Sequence, residues 1–431
     1  MISRRQFFVV SAAVLWGARL RAAPSERITI GMIGTGGHGV AMNLRSFLAQ
    51  PDAQIVAVCD VDRQRMEGAR DLVNQKYGNN DCAMHGDFRE ILARRDIDAV
   101  CISTPDHWHV PMSLMAMRAG KDVICEKPTL TIEEGRVQSD TARRLGRIFQ
   151  TATEDRSVYQ YHRMAEIVRN GRIGKLQRIE VGLPSGNRGP GNPTPQPVPD
   201  GFDYEMWLGP APWAPYCADR CHFNFRWIHD YSGGMLTDWG AHLLDTAQWG
   251  NDTERTGPVS VEGSGKQHGE GLYDTFFDFE LHYRYANDVE MTVDDRGVRI
   301  RFIGTDGWIE CAGWRGPLTA SSKEILDTPI GSTELKLYTC PAGEHRNFLD
   351  CVKTRLEPYF PAEIGHRCAT VMHMGNIAML LGRKLRWDPV KEEFLNDDTA
   401  NRLRSRAMRE PWSLTTCSGS IPSSKPNPND R

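Results

Sequence analysis

Ile28-Thr29-Ile30-Gly31-Met32-Ile33-Gly34-Thr35-Gly36-Gly37-His38-Gly39 decides the fold. Ile28, Ile30, Met32 and Ile33 make an apolar run of the length of a buried strand, and the run stops at Gly34. Gly34, Gly36 and Gly39 fit G-x-G-x-x-G, with Gly37 inside the same turn. In that pattern the first glycine permits the tight turn, the second lets the backbone approach a pyrophosphate, and the third allows close helix–strand packing. A helix over 40–48 would point its first amides at the phosphates. Residues 54–59 read as a second apolar strand, and Asp60 follows with a carboxylate suited to the 2′-hydroxyl of an NAD ribose.

Outward from that turn, strand-like runs at 97–103, 122–125 and 147–151 alternate with helical ones, which argues for a parallel sheet wound on both faces. Two strand ends carry polar clusters where such sheets bind ligands: Thr104-Pro105-Asp106-His107-Trp108-His109 and Glu126-Lys127-Pro128. Thr104, His109 and Glu126 are expected to line the cofactor site, His109 against the nicotinamide ribose or the substrate. Lys127 should sit over the same crevice, with Pro128 restricting it to extended backbone angles.

The texture changes after Arg156. A helix over 158–170 and a strand over 176–182 precede an irregular loop at 184–199, rich in Pro, Gly and Asn. Trp207, Trp213, Trp227, Trp239 and Trp249 then crowd together; about two of them are expected at a ligand, since aromatic faces stack on sugars as well as filling cores. Alternating runs at 259–263, 275–285, 289–293, 299–303 and 307–311 predict a largely antiparallel sheet, one face taking helices and the other a substrate or second subunit. Helices are expected over 344–356 and 361–381, and 413–431, rich in Ser, Pro and Asn, reads as disordered. The fold class is therefore α/β, with a Rossmann domain over 27–153 and an open-faced α+β domain over 154–390.

Across 431 residues the net charge is −3, which gives no footprint for a nucleic acid. Residues 1–23 are distinct. Ser3-Arg4-Arg5-Gln6-Phe7-Phe8 leads an apolar run over 7–18, too short to span a bilayer, and Ala22-Ala23 follows. This resembles a twin-arginine export signal, so the expected location is periplasmic or otherwise exported, with a tightly held cofactor carried out by the folded protein. The odd count of eleven cysteines, irregularly spaced, offers no disulfide framework. Cys217-x-x-x-Cys221-His222 lacks the second pair a zinc site needs, and no metal is expected.

Gly233-Gly234-Met235-Leu236-Thr237-Asp238-Trp239-Gly240-Ala241-His242 is the second informative stretch. On one helix Asp238 and His242 would share a face, with Asp245 one turn on. Together with the glycine turn, Thr104-Pro105 with His109, Glu126-Lys127-Pro128, Gly304-Thr305-Asp306-Gly307-Trp308 and His345-x-Asn347-Phe348, this resembles the glucose-fructose oxidoreductase/inositol dehydrogenase/rhizopine catabolism (Gfo/Idh/MocA) family. The resemblance implies Lys127 as the catalytic lysine with Asp238 and His242 as its partners. It also implies Arg156 as a basic substrate residue; Trp239, one of the clustered tryptophans, is a second substrate candidate. It further implies NAD or NADP as cofactor, a sugar, glycoside or cyclitol as substrate, and dimers or tetramers through the second sheet. Oxidising a secondary alcohol needs a base, a cation near the alkoxide and a hydride acceptor, roles that His242, Lys127 and NAD would fill while Asp238 orients the side chains. An NAD-dependent glycosidase and a cofactor-bound sugar-binding protein are the alternatives. Asp60 predicts NAD over NADP, although Arg63 and Arg65 would soften its repulsion of a 2′-phosphate. Titrating the apoprotein with both dinucleotides checks this, and Asp60→Ala is expected to narrow the gap.

Overall fold

The structure, a computed structural model, describes residues 27–186 and 189–417. The export stretch lies outside them. β1 (Ile28–Ile33), β2 (Ala53–Cys59), β3 (Ala83–His85), β4 (Ala99–Ile102), β5 (Asp122–Glu126) and β6 (Phe149–Ala152) pair in parallel in the order β3-β2-β1-β4-β5-β6. Ile30, Met32, Val100, Ile102, Val123 and Ile124 are all fully buried, as strands covered on both faces require. Strand order reverses between β1 and β4, so the ligand crevice opens over their carboxyl ends. β3 escapes sequence reading because three residues give no pattern. After β1 the chain takes a wide π-type turn over Gly39–Leu44 before the short α-helix Arg45–Leu48, where a single helix was expected.

The second sheet has nine strands. β7 (Leu176–Gly182), β8 (Ser260–Lys266), β9 (Phe277–Arg284), β10 (Glu290–Asp294), β11 (Arg299–Gly304), β12 (Trp308–Ala312), β13 (Leu318–Ala320), β14 (Leu385–Asp388) and β15 (Glu393–Phe394) run in the order β13-β12-β11-β7-β10-β9-β8-β14-β15. Every pairing is antiparallel except β7 with β10. Ile179, Val181, Leu281, Met291, Val293, Ile300 and Phe302 point into a core shared with the helices Tyr159–Arg169, Gly240–Gly250 and Ala362–Leu381. Arg178, Glu180, His282, Arg284, Arg301 and Glu310 alternate with them on the open face. Among the described residues no helix is long and apolar enough to cross a membrane. All eleven cysteines are buried thiols.

Several contacts lock the two units together. Arg136, on the helix Ile132–Leu145, reaches Glu363 at 2.7 Å and Glu392 at 2.6 Å. His345 Nε2 donates to Asn43 Oδ1 at 2.8 Å. The chain folds on past residue 390 and returns to the first domain: Trp412 packs edge-on against Trp108 at 4.8 Å, and Leu414–Cys417 forms a short helix against Asp106–Arg118. This corrects the expected disorder from 413; composition hid an apolar anchor of Trp412, Leu414 and Cys417, while residues 418–431 lie outside the described part. Trp412→Ala is expected to cost about 3–5 kcal/mol in a urea unfolding titration, the scale of emptying a buried tryptophan site.

Candidate active site

A cleft of about 830 Å³ opens between the domains. Its floor is the glycine turn. Gly34 has φ +88°, and a Cβ there would come within 2.5 Å of Ser103 O; a Cβ on Gly39 would meet Gly34 O at 2.5 Å. Gly36 and Gly37 face open space except for Arg65 Nη1, 3.0 Å from the Cβ position of Gly36. Thr104 Oγ1, on the cleft wall, is buried with no hydrogen-bond partner among the described residues. Bare backbone and an orphaned hydroxyl fit a dinucleotide lying along this floor. Asp60 lines the same cleft. Its Oδ2 accepts from Thr35 N at 2.6 Å and Thr35 Oγ1 at 3.0 Å, and its Oδ1 accepts from Asp62 N at 2.9 Å. A carboxylate has about four lone-pair sites, so a ribose hydroxyl would add to these contacts. Burial pushes the Asp60 carboxyl up, against the hydrogen bonds from Asp62 and Thr35.

Glu126 ends β5 and Lys127 follows it. Glu126 Oε1 accepts from His38 Nε2 at 3.0 Å and Asn43 Nδ2 at 2.9 Å. Burial would raise this carboxyl, but His38 and Lys127 hold it at about 2, and the same bond raises the His38 imidazole. Lys127 Nζ donates to Asp238 Oδ1 at 2.7 Å and to Asp238 O at 3.0 Å. Arg226 Nε donates to the other oxygen, Oδ2, at 3.0 Å. Burial alone would lower the Lys127 ammonium, and the Asp238 and Glu126 charges reverse that into an upward shift. Asp238 moves down: burial, which would raise it, is outweighed by Lys127 and Arg226.

Helical spacing pairs Asp238 with His242, but in the structure no hydrogen bond joins them. The helix Met235–Asp238 ends there, Trp239 interrupts, and a new helix runs Gly240–Gly250. His242 Nδ1 instead donates to Asp155 Oδ2 at 2.7 Å. Trp239 lines the cleft and packs edge-on against Trp314 at 4.8 Å.

One expected contact is corrected. Arg156, 3% exposed, is held by Asp245 at 2.7 Å, Glu254 at 2.6 Å and the faces of Trp249 and Phe360. It is a core ion pair outside the cleft lining, and it also takes Asp245 away from His242. His109 borders the cleft, its ring nitrogens 2.8 Å from Pro128 O and 2.8 Å from Thr104 O. Missed altogether were Asp155, Arg226, Trp314 and His38. Only His38, inside the glycine turn, carried a local signal.

A Rossmann crevice with a lysine at its rim, facing a histidine and a carboxylate of a second domain, defines a two-domain dinucleotide-dependent protein. Residues 28–153 match an oxidoreductase family's NAD-binding Rossmann fold, and residues 180–414 match that family's C-terminal alpha/beta domain. The chain belongs to the Gfo/Idh/MocA oxidoreductase family. It is 29% identical over 230 residues to a glycosyl hydrolase family 109 protein of Stenotrophomonas maltophilia, covering 49% of each chain. It is 31% identical over 156 residues to the D-glucoside 3-dehydrogenase of Escherichia coli, covering 36% of this chain and 43% of that one. The chain thus matches about half the length of these curated relatives. The WlbA dehydrogenase of Bordetella pertussis, solved with NADH and UDP-GlcNAcA, has a TM-score of 0.62 at 14% identity, covering 84% of this chain and 99% of that chain, a likeness of fold.

Asp106 also lines the cleft, buried, and accepts from Ser232 Oγ at 2.6 Å. Burial pushes its carboxyl up to about 6. The folded protein therefore holds this proton to higher pH than the unfolded chain does. The stabilisation is complete below about pH 4 and is lost as pH rises through about 6. Asp106→Asn carries no such slope. In urea titrations at pH 4 and 7.5 the variant is expected to gain about 3 kcal/mol on the parent at the higher pH, two pKa units' worth.

Proposed function

We propose that this protein is an exported NAD-dependent oxidoreductase that oxidises or reduces a secondary hydroxyl or keto group of a sugar, glycoside or cyclitol. One observation carries the reading: Lys127, Asp238 and His242 line one cleft with the open glycine turn. Gly34, Gly36, Gly37, Gly39, Asp60, Thr104 and Glu126 would hold the dinucleotide, which when bound supplies the hydride acceptor. Lys127 holds positive charge where an alkoxide develops, Asp238 fixes its ammonium, and His242 takes the hydroxyl proton. Trp239 offers an aromatic face to a sugar ring. The D-glucoside 3-dehydrogenase relative supports a glycoside substrate.

The family 109 relatives, matched at 29–40% identity, favour a second reading: oxidation, elimination of the aglycone and re-reduction by the same cofactor. Incubating the purified protein with sugars and glycosides, read by mass spectrometry, separates the two. A keto-sugar marks a dehydrogenase, whereas a freed aglycone beside an unoxidised sugar marks a glycosidase. Conversion of neither class overturns both readings.

Arg4-Arg5 before the apolar run supports twin-arginine export with NAD already bound. Native protein found in the cytoplasm with an intact N-terminus would refute it. The open, charge-alternating sheet face supports a homodimer or homotetramer, to be checked by light scattering. Lys127→Met leaves Arg226 on Asp238, so folding and NAD binding should survive. Turnover should fall by a factor on the order of 100 or more, the scale of losing a charged transition-state contact. Single-turnover hydride transfer kept within about threefold would overturn this role.

A further inference from the structure

Lys127 engages one oxygen of Asp238 and Arg226 the other, and no hydrogen bond joins Asp238 to His242. The carboxylate on His242 comes from another part of the chain. Asp155 sits on the short turn Asp155–Ser157 that carries the chain out of β6, only 1% exposed, and its Oδ2 receives the His242 Nδ1 proton at 2.7 Å. Its other oxygen, Oδ1, has no hydrogen-bond partner among the described residues; the guanidinium of Arg315 lies 3.6 Å away. Arg315 is pinned in turn. It pairs with Glu154, its backbone N–H donates to Tyr161 Oη at 3.1 Å, and its φ of +54° is a conformation that non-glycine residues adopt only when held there. The ring of Trp314 lies 5.0 Å from the imidazole and that of Trp239 5.9 Å, both edge-on, so the His242 ring has little room to turn.

We infer that Asp155 is the positioning residue for His242, fixing its ring as the Nδ1–H tautomer so that Nε2 meets the cleft as the proton acceptor, with Arg315 and Trp314 holding the pair in place. The inference rests on His242 being the base. A carboxylate on Nδ1–H sets the tautomer of a neutral imidazole and stabilises the imidazolium that forms when Nε2 accepts a proton. No protein group among the described residues is hydrogen-bonded to Nε2. The site thus uses two carboxylates in separate roles: Asp238 orients the ammonium, and Asp155 orients the base. A purely structural Asp155 would serve only to tie the crossover turn to the second domain, and its loss would cost stability without redirecting the imidazole.

Long-range ¹H–¹⁵N correlation spectra of histidine-labelled, NAD-loaded protein test this without any substrate, with the His242 signals assigned by His242→Gln. Followed upward in pH until the imidazole is neutral, the parent is expected to show a protonated Nδ1 and a pyridine-type Nε2. Asp155→Asn should move a large part of the population to Nε2–H, and Asp155→Glu should restore the parent pattern. With the glycoside found by the mass-spectrometric screen, Asp155→Asn should lower kcat by a factor on the order of 100 or more, with KM within about threefold and partial rescue in Asp155→Glu. An Nε2–H tautomer in the parent overturns the inference even if no variant folds. A tautomer unmoved by Asp155→Asn, or a moved tautomer with undiminished kcat, overturns it equally. If the spectra agree and the screen finds no substrate, the positioning stands and the proposed function fails.

Discussion

The ion pair between Lys127 and Asp238 joins the two halves of the molecule. One partner directly follows a strand of the parallel sheet; the other closes a short helix of the second domain, and 2.7 Å separates them. Removing two charges from water is expensive, and only a close, well-bonded geometry returns that cost. Here the ammonium also donates to the Asp238 carbonyl, and Arg226 satisfies the remaining carboxylate oxygen. A pair so constrained tolerates little relative movement of its domains. The other interdomain contacts serve the same end: Trp108 Nε1 donates to Met206 O at 3.0 Å and His107 Nε2 lies 2.9 Å from Trp207 O, so the cluster after β4 grips the second domain as well as walling the cleft.

What the sequence made legible is what local pattern determines. The glycine turn announces itself because each glycine answers a steric demand from atoms a few residues away or on the adjoining strand. Glu126 and Lys127 are readable because an apolar strand must end before them. The antiparallel strands of the second sheet declare themselves by alternation, and the short strands β13, β14 and β15 go unread because two to four residues carry none.

Partner choice between side chains was not legible. Asp238 and His242 stand at helical spacing, but the helix breaks at Trp239 and each finds its partner elsewhere: Lys127, 111 residues back, and Asp155, 87 residues back. Arg156 looks like a ligand-binding cation by type and place, yet Asp245 and Glu254 claim it in the core. Such pairings depend on how two domains dock, a quantity no short window contains.

Every thiol in this chain is buried in the folded state, Cys340 and Cys82 least deeply. Burial also pushes Cys59, Cys101, Cys125 and Cys368 upward, so the reactive thiolate is scarce as well as hidden. Alkylation of this protein therefore reports breathing of the fold and nothing else. Cys59, Cys101 and Cys125 time the opening of the parallel sheet, Cys351 that of the helix packed against it, Cys340 and Cys368 that of the second domain, and Cys417 the peeling of the chain's last described turn. The molecule carries its own hydrogen-exchange experiment in sulfur, readable by mass peptide by peptide.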